Sequence, residues 1–497
     1  MSSEFPPDAV KRQTYISNIH RHLNYPIVLT TDKLHKDYSG LKNLRLLTTS
    51  AIEAGLFNPI YSDPGSVFDK TEKDTGVVMV SQSGDGKAKA ISLTNGQILA
   101  SIEGKIQLHS TNKEDIFLAW SGLDHVSNLI EVHLHALCLS AIQVFLPYHL
   151  AVSDPMRFLK SLEKYQISYT HVPDFFLKEL LKVLNSLAIQ VRFEGDPVEM
   201  TFDFSKLRAL VSQGRLNNSA TNSKALELFS KYKAPPRFLR PGFGMTEFCG
   251  SAIYDILEPI TAVPTSQSLT LTSFFQTVDP KLEPTSQNTI GKPIPTLSVR
   301  IVDEDHYALP FGEVGMLELS GPCVFTSYYN DPQRTAKMFT RDGWFRTGDL
   351  GVFDTQGRTI LSGRYEDRLI IRGKQYHPQN LQKHIRNQNI PGIKARSIVV
   401  FCFHPNEIEG DMLDWEAAGV KQENLVVVYA TNFPKHMSGT ALDTEHRVVG
   451  IMVDACGMVP YRILGVEEEQ LPKTGGGFGR VSNMLVKRKF LKGGFGL

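Results

Sequence analysis

The run PGFGMTEFCG at residues 241–250 sets glycines on both sides of an aromatic ring, then follows them with a hydroxyl and a carboxylate. Phe243 offers an aromatic face that either stacks on a flat ligand or packs into a core. Thr246 and Glu247 leave the glycine turn together. Such a pair reads either as a helix start or as a hydroxyl and a carboxylate aimed at one ligand. Two more glycine-bearing runs follow in order, GWFRTGDLG at 343–351 and SGRYEDRLIIRGKQYHPQNL at 362–381. Their order is more specific than any one of them.

Outward from these runs, the chain alternates short apolar stretches with helical patterns. VVMV at 77–80 and AISL at 90–93 flank the turn-forming SQSGDGKAKA at 81–90, which predicts a hairpin bearing a loop. AIQVFLP at 141–147, ISYTHVPD at 167–174 and LRALVSQG at 207–214 read as strands. DPMRFLKSLEKYQ at 154–166, capped by Asp154, and PDFFLKELLKVLNSL at 173–187 read as helices. The alternation predicts an α/β domain with largely parallel sheets, whose ligands sit at strand carboxyl ends. From 290 to 362 the pattern turns to short strands and predicts a β-rich subdomain. Beyond Gly363 a smaller α+β unit begins. The expected domains are therefore 1–362 and 363–497, divided at Ser362–Tyr365. Residues 255–290, rich in Pro, Ser and Thr, read as an exposed loop, and no internal repeat is visible.

Composition bounds the class. The 497 residues carry 53 Lys+Arg against 52 Asp+Glu, a net charge of +1. At roughly 150 residues per domain this length suggests about three structural units. With 41% hydrophobic and 21% charged residues the chain reads as a soluble globular protein. Disorder, collagen-like repeats and a coiled-coil rod are excluded, and near-neutral charge argues against a general nucleic-acid binder. Cys138, Cys249, Cys323, Cys402 and Cys456 are scattered without a CxxC pair, as expected of reduced thiols inside a cell. The amino terminus lacks the apolar core of a signal peptide, and KGGFGL at the other end matches no lipidation signal. Leu129–Val152 carries Glu131, His133, His135 and His149, too polar for a transmembrane segment and suited to a buried helix followed by a strand. The expected location is cytoplasmic.

The three runs together resemble the adenylate-forming superfamily of acyl-CoA synthetases, peptide-synthetase adenylation domains and luciferases. The resemblance extends from about Asn18 to Arg480, and is closest to fatty acyl-AMP ligase-like domains through residues 120–147 and 289–321. It implies a large AMP-binding domain followed by a small mobile one, with the first part of the large domain missing relative to the family. It implies ATP-dependent activation of a carboxylic, fatty acid as acyl-adenylate. Transfer to CoA or to a carrier-protein phosphopantetheine thiol follows, in secondary-metabolite biosynthesis, with an acyl carrier protein or synthase as partner. Phe243 is then expected to stack on the adenine, with Gly244 and Met245 also in the nucleotide site, the Thr246 hydroxyl at the α-phosphate, and the Glu247 carboxylate on Mg²⁺, a hard cation suited to such oxygens. Asp349 is expected to accept from the ribose hydroxyls and Arg364 to contact ribose and phosphate, while Asp367 marks the interdomain hinge. Ser81, Ser83, Gly84, Gly86, Lys87 and Lys89 are expected to form the phosphate loop, and His125 to be either an acyl-pocket wall or a hydrogen-bonded core residue. His133 and His135 stand two apart, which does not share a helical face and argues against a metal site.

The sequence also departs from its family. Asp85 stands in the phosphate loop where relatives have threonine, a repulsive charge beside triphosphate unless a cation neutralises it. Ser212-Gln213-Gly214-Arg215 replaces a Gly-Gly-Glu run next to the adenine. In Pro472–Arg480, Phe478 occupies the position of the lysine that bridges substrate carboxylate and α-phosphate. Losing one such donor typically costs roughly 10²–10³ in rate, so Lys473 or Arg480 is expected to substitute. The alternative is an adenylation-fold binding or scaffold protein with impaired catalysis.

Overall fold

The computed structural model describes residues 13, 16–17, 19–21, 23, 27–32, 45–54, 70–82, 88–193, 202–213, 219–256, 289–371, 374–394, 397–403, 424–432, 438–473 and 481–495. The chain divides into two compact units, with main segments 16–81 and 90–362 in the first and 363–497 in the second. The former loop reading of 255–290 lies almost entirely outside the described residues.

In the first unit, β1 (Ile27–Thr30) pairs in parallel with β2 (Arg45–Thr48). The hairpin strands β3 (Thr75–Gln82) and β4 (Ala88–Thr94) form where VVMV and AISL predict them. An 11-stranded sheet follows. Its members are β5 (Ile116–Ala119), β6 (Ile142–Phe145), β7 (Tyr169–Pro173), β8 (Ala209–Gln213), β9 (Leu239–Met245), β10 (Gly250–Tyr254), β11 (Thr289–Pro293), β12 (Ser298–Val302), β13 (Gly315–Ser320), β15 (Phe345–Phe353) and β16 (Thr359–Arg364). Their order is β12-β13-β15-β16-β11-β10-β9-β8-β7-β5-β6. The short β14 (Ser327–Tyr328) instead joins β4 and β3. Strands β5 to β9 pair in parallel, whereas β9 to β13 and β15 pair antiparallel, so the α/β half and the β-rich half share one sheet.

Burial explains the parallel half. Phe117, Ala119, Tyr169, Ala209 and Val211 enter one core, while their neighbours Leu118, Val172 and Leu210 enter another. A sheet covered on both faces needs apolar residues at successive positions, which is the signature of these strands. The helices α1 (Asn95–His109), α2 (Pro155–Lys164), α3 (Asp174–Phe193) and α4 (Ser219–Ser230) belong to these two layers. Helix α1 starts with a capping box in which Thr94 and Gln97 satisfy each other's backbone amides. Asp154 stands before α2 as expected, but its carboxylate takes Arg157 Nε at 3.2 Å instead of a helix amide.

The second unit has the hairpin β17 (Leu369–Ile371) and β18 (Lys374–Tyr376) and a sheet of β19 (Val399–Phe403), β20 (Asn424–Ala430) and β21 (Arg462–Val466). Alternate residues feed two cores: Val400, Cys402 and Val427 one, Val399, Phe401 and Val426 the other. Helices α5 (Pro378–Asn387), α6 (Ser438–Cys456) and α7 (Asn483–Leu491) complete it. No helix among the described residues is long and apolar enough to cross a membrane.

Candidate active site

Strands β5, β7, β8 and β9 run parallel; β7 and β8 end opposite each other at Pro173 and Gln213, and β9 runs three residues beyond Gly242, the partner of Gln213, to Met245. A parallel sheet presents its ligand crevice at those carboxyl ends. The end of β9 turns through Thr246–Phe248 into β10. Gly244 is obligatory there, because a Cβ would lie 2.3 Å from the Gly250 carbonyl oxygen across the hairpin. The turn closes at Cys249, a non-glycine residue with φ of 63°, held buried in the left-handed region.

Phe243 is buried, its ring 5.9 Å from that of Phe248, while Gly244 is exposed and Met245 and Thr246 are half-buried. Glu247 is only 2% exposed, and one carboxylate oxygen accepts from the Tyr328 hydroxyl at 2.9 Å. Tyr328 reaches it from β14, whose pairing with β4 fixes Tyr328 opposite Ile91. The Phe325 amide also donates to the Glu247 carbonyl at 2.7 Å. This carboxylate is the donor Mg²⁺ calls for, a hard oxygen already oriented. No cluster of three His, Cys, Asp or Glu stands among the described residues. A Mg²⁺ ion here would therefore be held by Glu247 together with phosphate oxygens, the usual sharing for that ion.

Asp349 sits at a β-bulge. Between Met316↔Leu350 and Glu318↔Arg346, the single residue Leu317 faces Thr347, Gly348 and Asp349 on β15. Gly348 takes φ of 75°, the Thr347 hydroxyl donates to Leu317 O at 2.8 Å, and the Asp349 amide donates to Thr347 Oγ1 at 3.0 Å. Bulges of this kind re-aim a side chain, and here the buried side chain re-aimed is a carboxylate.

Around the neighbouring strand ends lies a neutral polar group. Asn128 Nδ2 donates to Ser121 O at 2.5 Å, Ser121 Oγ lies 3.4 Å from His171 Nε2, and Gln213 Nε2 donates to Ser251 Oγ at 2.7 Å. Ser127 donates to Gln213 Oε1. His125 caps the short helix Val126–Asn128, its Nδ1 accepting from the Ser127 amide at 3.2 Å. Two buried atoms in this group, Asn128 Oδ1 and His171 Nδ1, have no hydrogen-bond partner among the described residues. Burial, and then the neighbouring His125, pushes the His171 imidazole down to about 3, so it is neutral at pH 7. Burial likewise lowers His125.

Of the predicted phosphate loop, Ser81 and Lys89 are half-buried, while Ser83, Gly84, Asp85, Gly86 and Lys87 lie outside the described residues. In the second unit, Arg364 and Asp367 are half-buried on either side of Tyr365, whose ring carries the Arg368 guanidinium at 3.6 Å. Lys473 Nζ pairs with Glu468 Oε1 at 3.1 Å, and Phe478 and Arg480 lie outside the described residues. Sequence reasoning singled out Glu247 and Asp349, but allowed Gly348-Asp349 as an ordinary turn where the structure has a β-bulge, and missed Tyr328, His171 and Asn128. Tyr328 is 81 residues from Glu247, and nothing in its local pattern marks it.

Comparisons with known proteins identify the family. The family model described as AMP-binding enzyme matches residues 49–329, more than half of the chain. Microperfuranone synthase of Emericella nidulans is 32% identical over 98% of this chain and 48% of that protein. The nonribosomal peptide synthetase apvA of Aspergillus terreus is 30% identical over 99% of this chain and 49% of its own length. The chain thus spans about half the length of these curated relatives. A solved multidomain structure described as adenylation, ketoreductase and pseudo Asub of a keto acid-selecting NRPS module superposes with a TM-score of 0.73. Its sequence identity is 20%, over 100% of this chain and 39% of that one. With the parallel strand ends, the Thr246–Glu247 turn and the Asp349 bulge in place, the chain belongs to the AMP-binding enzyme family of the adenylate-forming superfamily.

Proposed function

We propose that this chain is the adenylation part of a synthetase in secondary metabolism, activating a carboxylic acid with ATP and passing it to a carrier-protein thiol. The observation that carries this reading is the Thr246–Glu247 turn, which sets a hydroxyl and an anchored, buried carboxylate at the ends of parallel strands. The acid's carboxylate oxygen attacks the α-phosphate, and the P–O bond to pyrophosphate breaks. The resulting acyl-adenylate then loses AMP to the thiol. Negative charge gathers on phosphate oxygens, so oriented donors and cations supply most of the acceleration. Thr246 would donate to the α-phosphate, Glu247 would hold Mg²⁺ and Asp349 would accept from the ribose hydroxyls. Mg²⁺, when bound, neutralises phosphate charge.

The neutral polar group of Ser121, His125, Asn128 and His171 supports an acid bearing an oxo or hydroxyl group, in preference to the plain fatty chain that the resemblance implies. None of these four residues is a carboxylate that would hold an ammonium, and Asp124, next to His125, is exposed. The named keto acid selectivity of the superposed module supports the same class. The test is acid-dependent ATP–pyrophosphate exchange with Mg²⁺ across fatty, amino, aromatic and 2-oxo acids. The expected result is exchange with 2-oxo or hydroxy acids above all others. Preference for fatty or amino acids overturns the substrate class, and absence of both exchange and ATP binding by a folded sample overturns the nucleotide site.

A further inference from the structure

Beneath the turn lies a charged network that the reaction itself does not use. Lys105, on α1, and Glu131, in a π-helical stretch Leu129–Leu134, are both fully buried, with Nζ 3.9 Å from Oε2. Burying charge is costly unless hydrogen bonds replace water, and here they do. Glu131 accepts from the Tyr169 hydroxyl at 2.7 Å and from the Tyr254 hydroxyl at 2.7 and 2.9 Å on its two oxygens. Lys105 Nζ donates to Ser101 Oγ at 2.5 Å and to the Cys249 carbonyl at 3.2 Å. The Tyr254 hydroxyl oxygen also lies 2.8 Å from Ser251 O, so its one hydrogen is shared among these acceptors. Two arms of this network, through Tyr254 on β10 and through Lys105, reach the hairpin stem around Thr246–Glu247, while Tyr169 ties Glu131 to β7. The Lys105 arm ends on Cys249, the left-handed residue that closes the turn. A single tight turn of 3.6-residue periodicity widened to π geometry is a device often found beside functional sites, and this one brings Glu131 under β10.

We infer that Lys105 and Glu131 are positioning residues that fix the Thr246–Glu247 turn from below, holding its hydroxyl and carboxylate where nucleotide and Mg²⁺ are to be met. The inference rests on the proposed role of that turn, but its geometry can be tested without activity. An apolar core alone would bury the hairpin without choosing the conformation at Cys249. The ammonium–carbonyl bond chooses it.

The decisive variant is Lys105→Met/Glu131→Gln, which removes both buried charges together so that neither is left unpaired. It is compared with the natural chain and with Leu180→Ala, a cavity in the separate core between helices and sheet. Circular dichroism checks folding, and backbone amide exchange is read on the peptide covering residues 241–254. We expect the double variant to exchange that peptide about tenfold faster while residues 207–213 keep their protection. Its kcat in pyrophosphate exchange falls about 10- to 100-fold with the acid's KM unchanged, the pattern of a displaced catalytic group. Leu180→Ala lowers Tm without loosening 241–254. A folded double variant with natural protection and natural kcat overturns the inference. Should the double variant fail to fold, Tyr254→Phe removes one hydroxyl from Glu131, and natural protection of 241–254 in that variant is equally fatal. If the natural chain exchanges no acid, the adenylation reading falls, while the amide protection still decides the positioning.

Discussion

The two candidate cation-and-anion centres of this chain are built on opposite principles. In the large unit, Glu247 is buried and anchored by Tyr328 of β14. In the small unit, Lys473 is 44% exposed in its side chain and pairs with Glu468, which also holds Lys394 at 3.0 Å. A buried, pre-oriented charge costs no reorganisation when a ligand's charge develops beside it. A solvated pair keeps both partners mobile and screened. The contrast is one between a buried, pre-oriented carboxylate in the first unit and a solvated ion pair in the second.

The largest expected effect breaks the first region at its centre. Glu247→Gln keeps the side-chain shape and an oxygen for the Tyr328 hydroxyl, but removes the negative charge proposed for Mg²⁺. Acid-dependent pyrophosphate exchange should fall by about 10²–10³, while Tm stays within a few degrees. Exchange at the natural rate would remove Glu247 from the site.

A second prediction separates the units by pH. Burial is the first cause of the lowered pKa at His109, His125, His135 and His171 in the large unit, and of that at His377 in the small one. His135 and His171 are both pushed to about 3. Groups whose folded pKa is depressed take up protons on unfolding, so stability is present above the unfolded value near 6.5 and is lost as pH falls toward 3. With two such histidines the slope is about 2 to 3 kcal/mol per pH unit below pH 6. Glu131, raised by burial, works in the opposite sense, but it is one group against several. Chemical unfolding followed from pH 7 to 5 should therefore show the large unit losing stability faster than the small one. Parallel loss would mean these histidines are protonated in the fold.

Legibility in the sequence follows the same division. Strands such as LRALVSQG were readable because both faces of a parallel sheet demand consecutive apolar residues, whereas AIQVFLP, which reads as a buried strand, is the sheet's edge, with Ile142 62% and Phe145 60% exposed. The turn at 241–250 was readable because its glycines are forced by the close approach of two strands. The partners were not. Glu131 looked like a residue that merely made its stretch too polar for a membrane, yet it bonds Tyr254 across 123 residues of chain. Buried charge has no local signature, since a lysine and a glutamate that meet inside the fold look in sequence like two surface residues. Tyr328 has the same difficulty, because its only message is spatial.

The smallest effect is expected at Lys473, which with Arg480 was one of two sequence candidates to replace a family lysine whose position the resemblance assigns to Phe478. In the structure its ammonium already has a carboxylate, and Glu468 is lowered by its bonds to Lys394 first and to Lys473 second. Lys473→Ala leaves the Lys394 pair intact, so stability should change by no more than about 0.5 kcal/mol, as for exposed pairs generally. Pyrophosphate exchange should fall less than about threefold, because a cation held at the surface contributes little to a charge that forms elsewhere. Glu468→Gln sharpens the reading by releasing the lysine. A gain in exchange in that variant, lost again in Glu468→Gln/Lys473→Ala, would show that Lys473 serves catalysis only when freed. A tenfold loss in the single Lys473→Ala variant would show instead that the lysine leaves Glu468 during turnover, and the contrast between a fixed and a solvated centre would then describe two stages of one reaction.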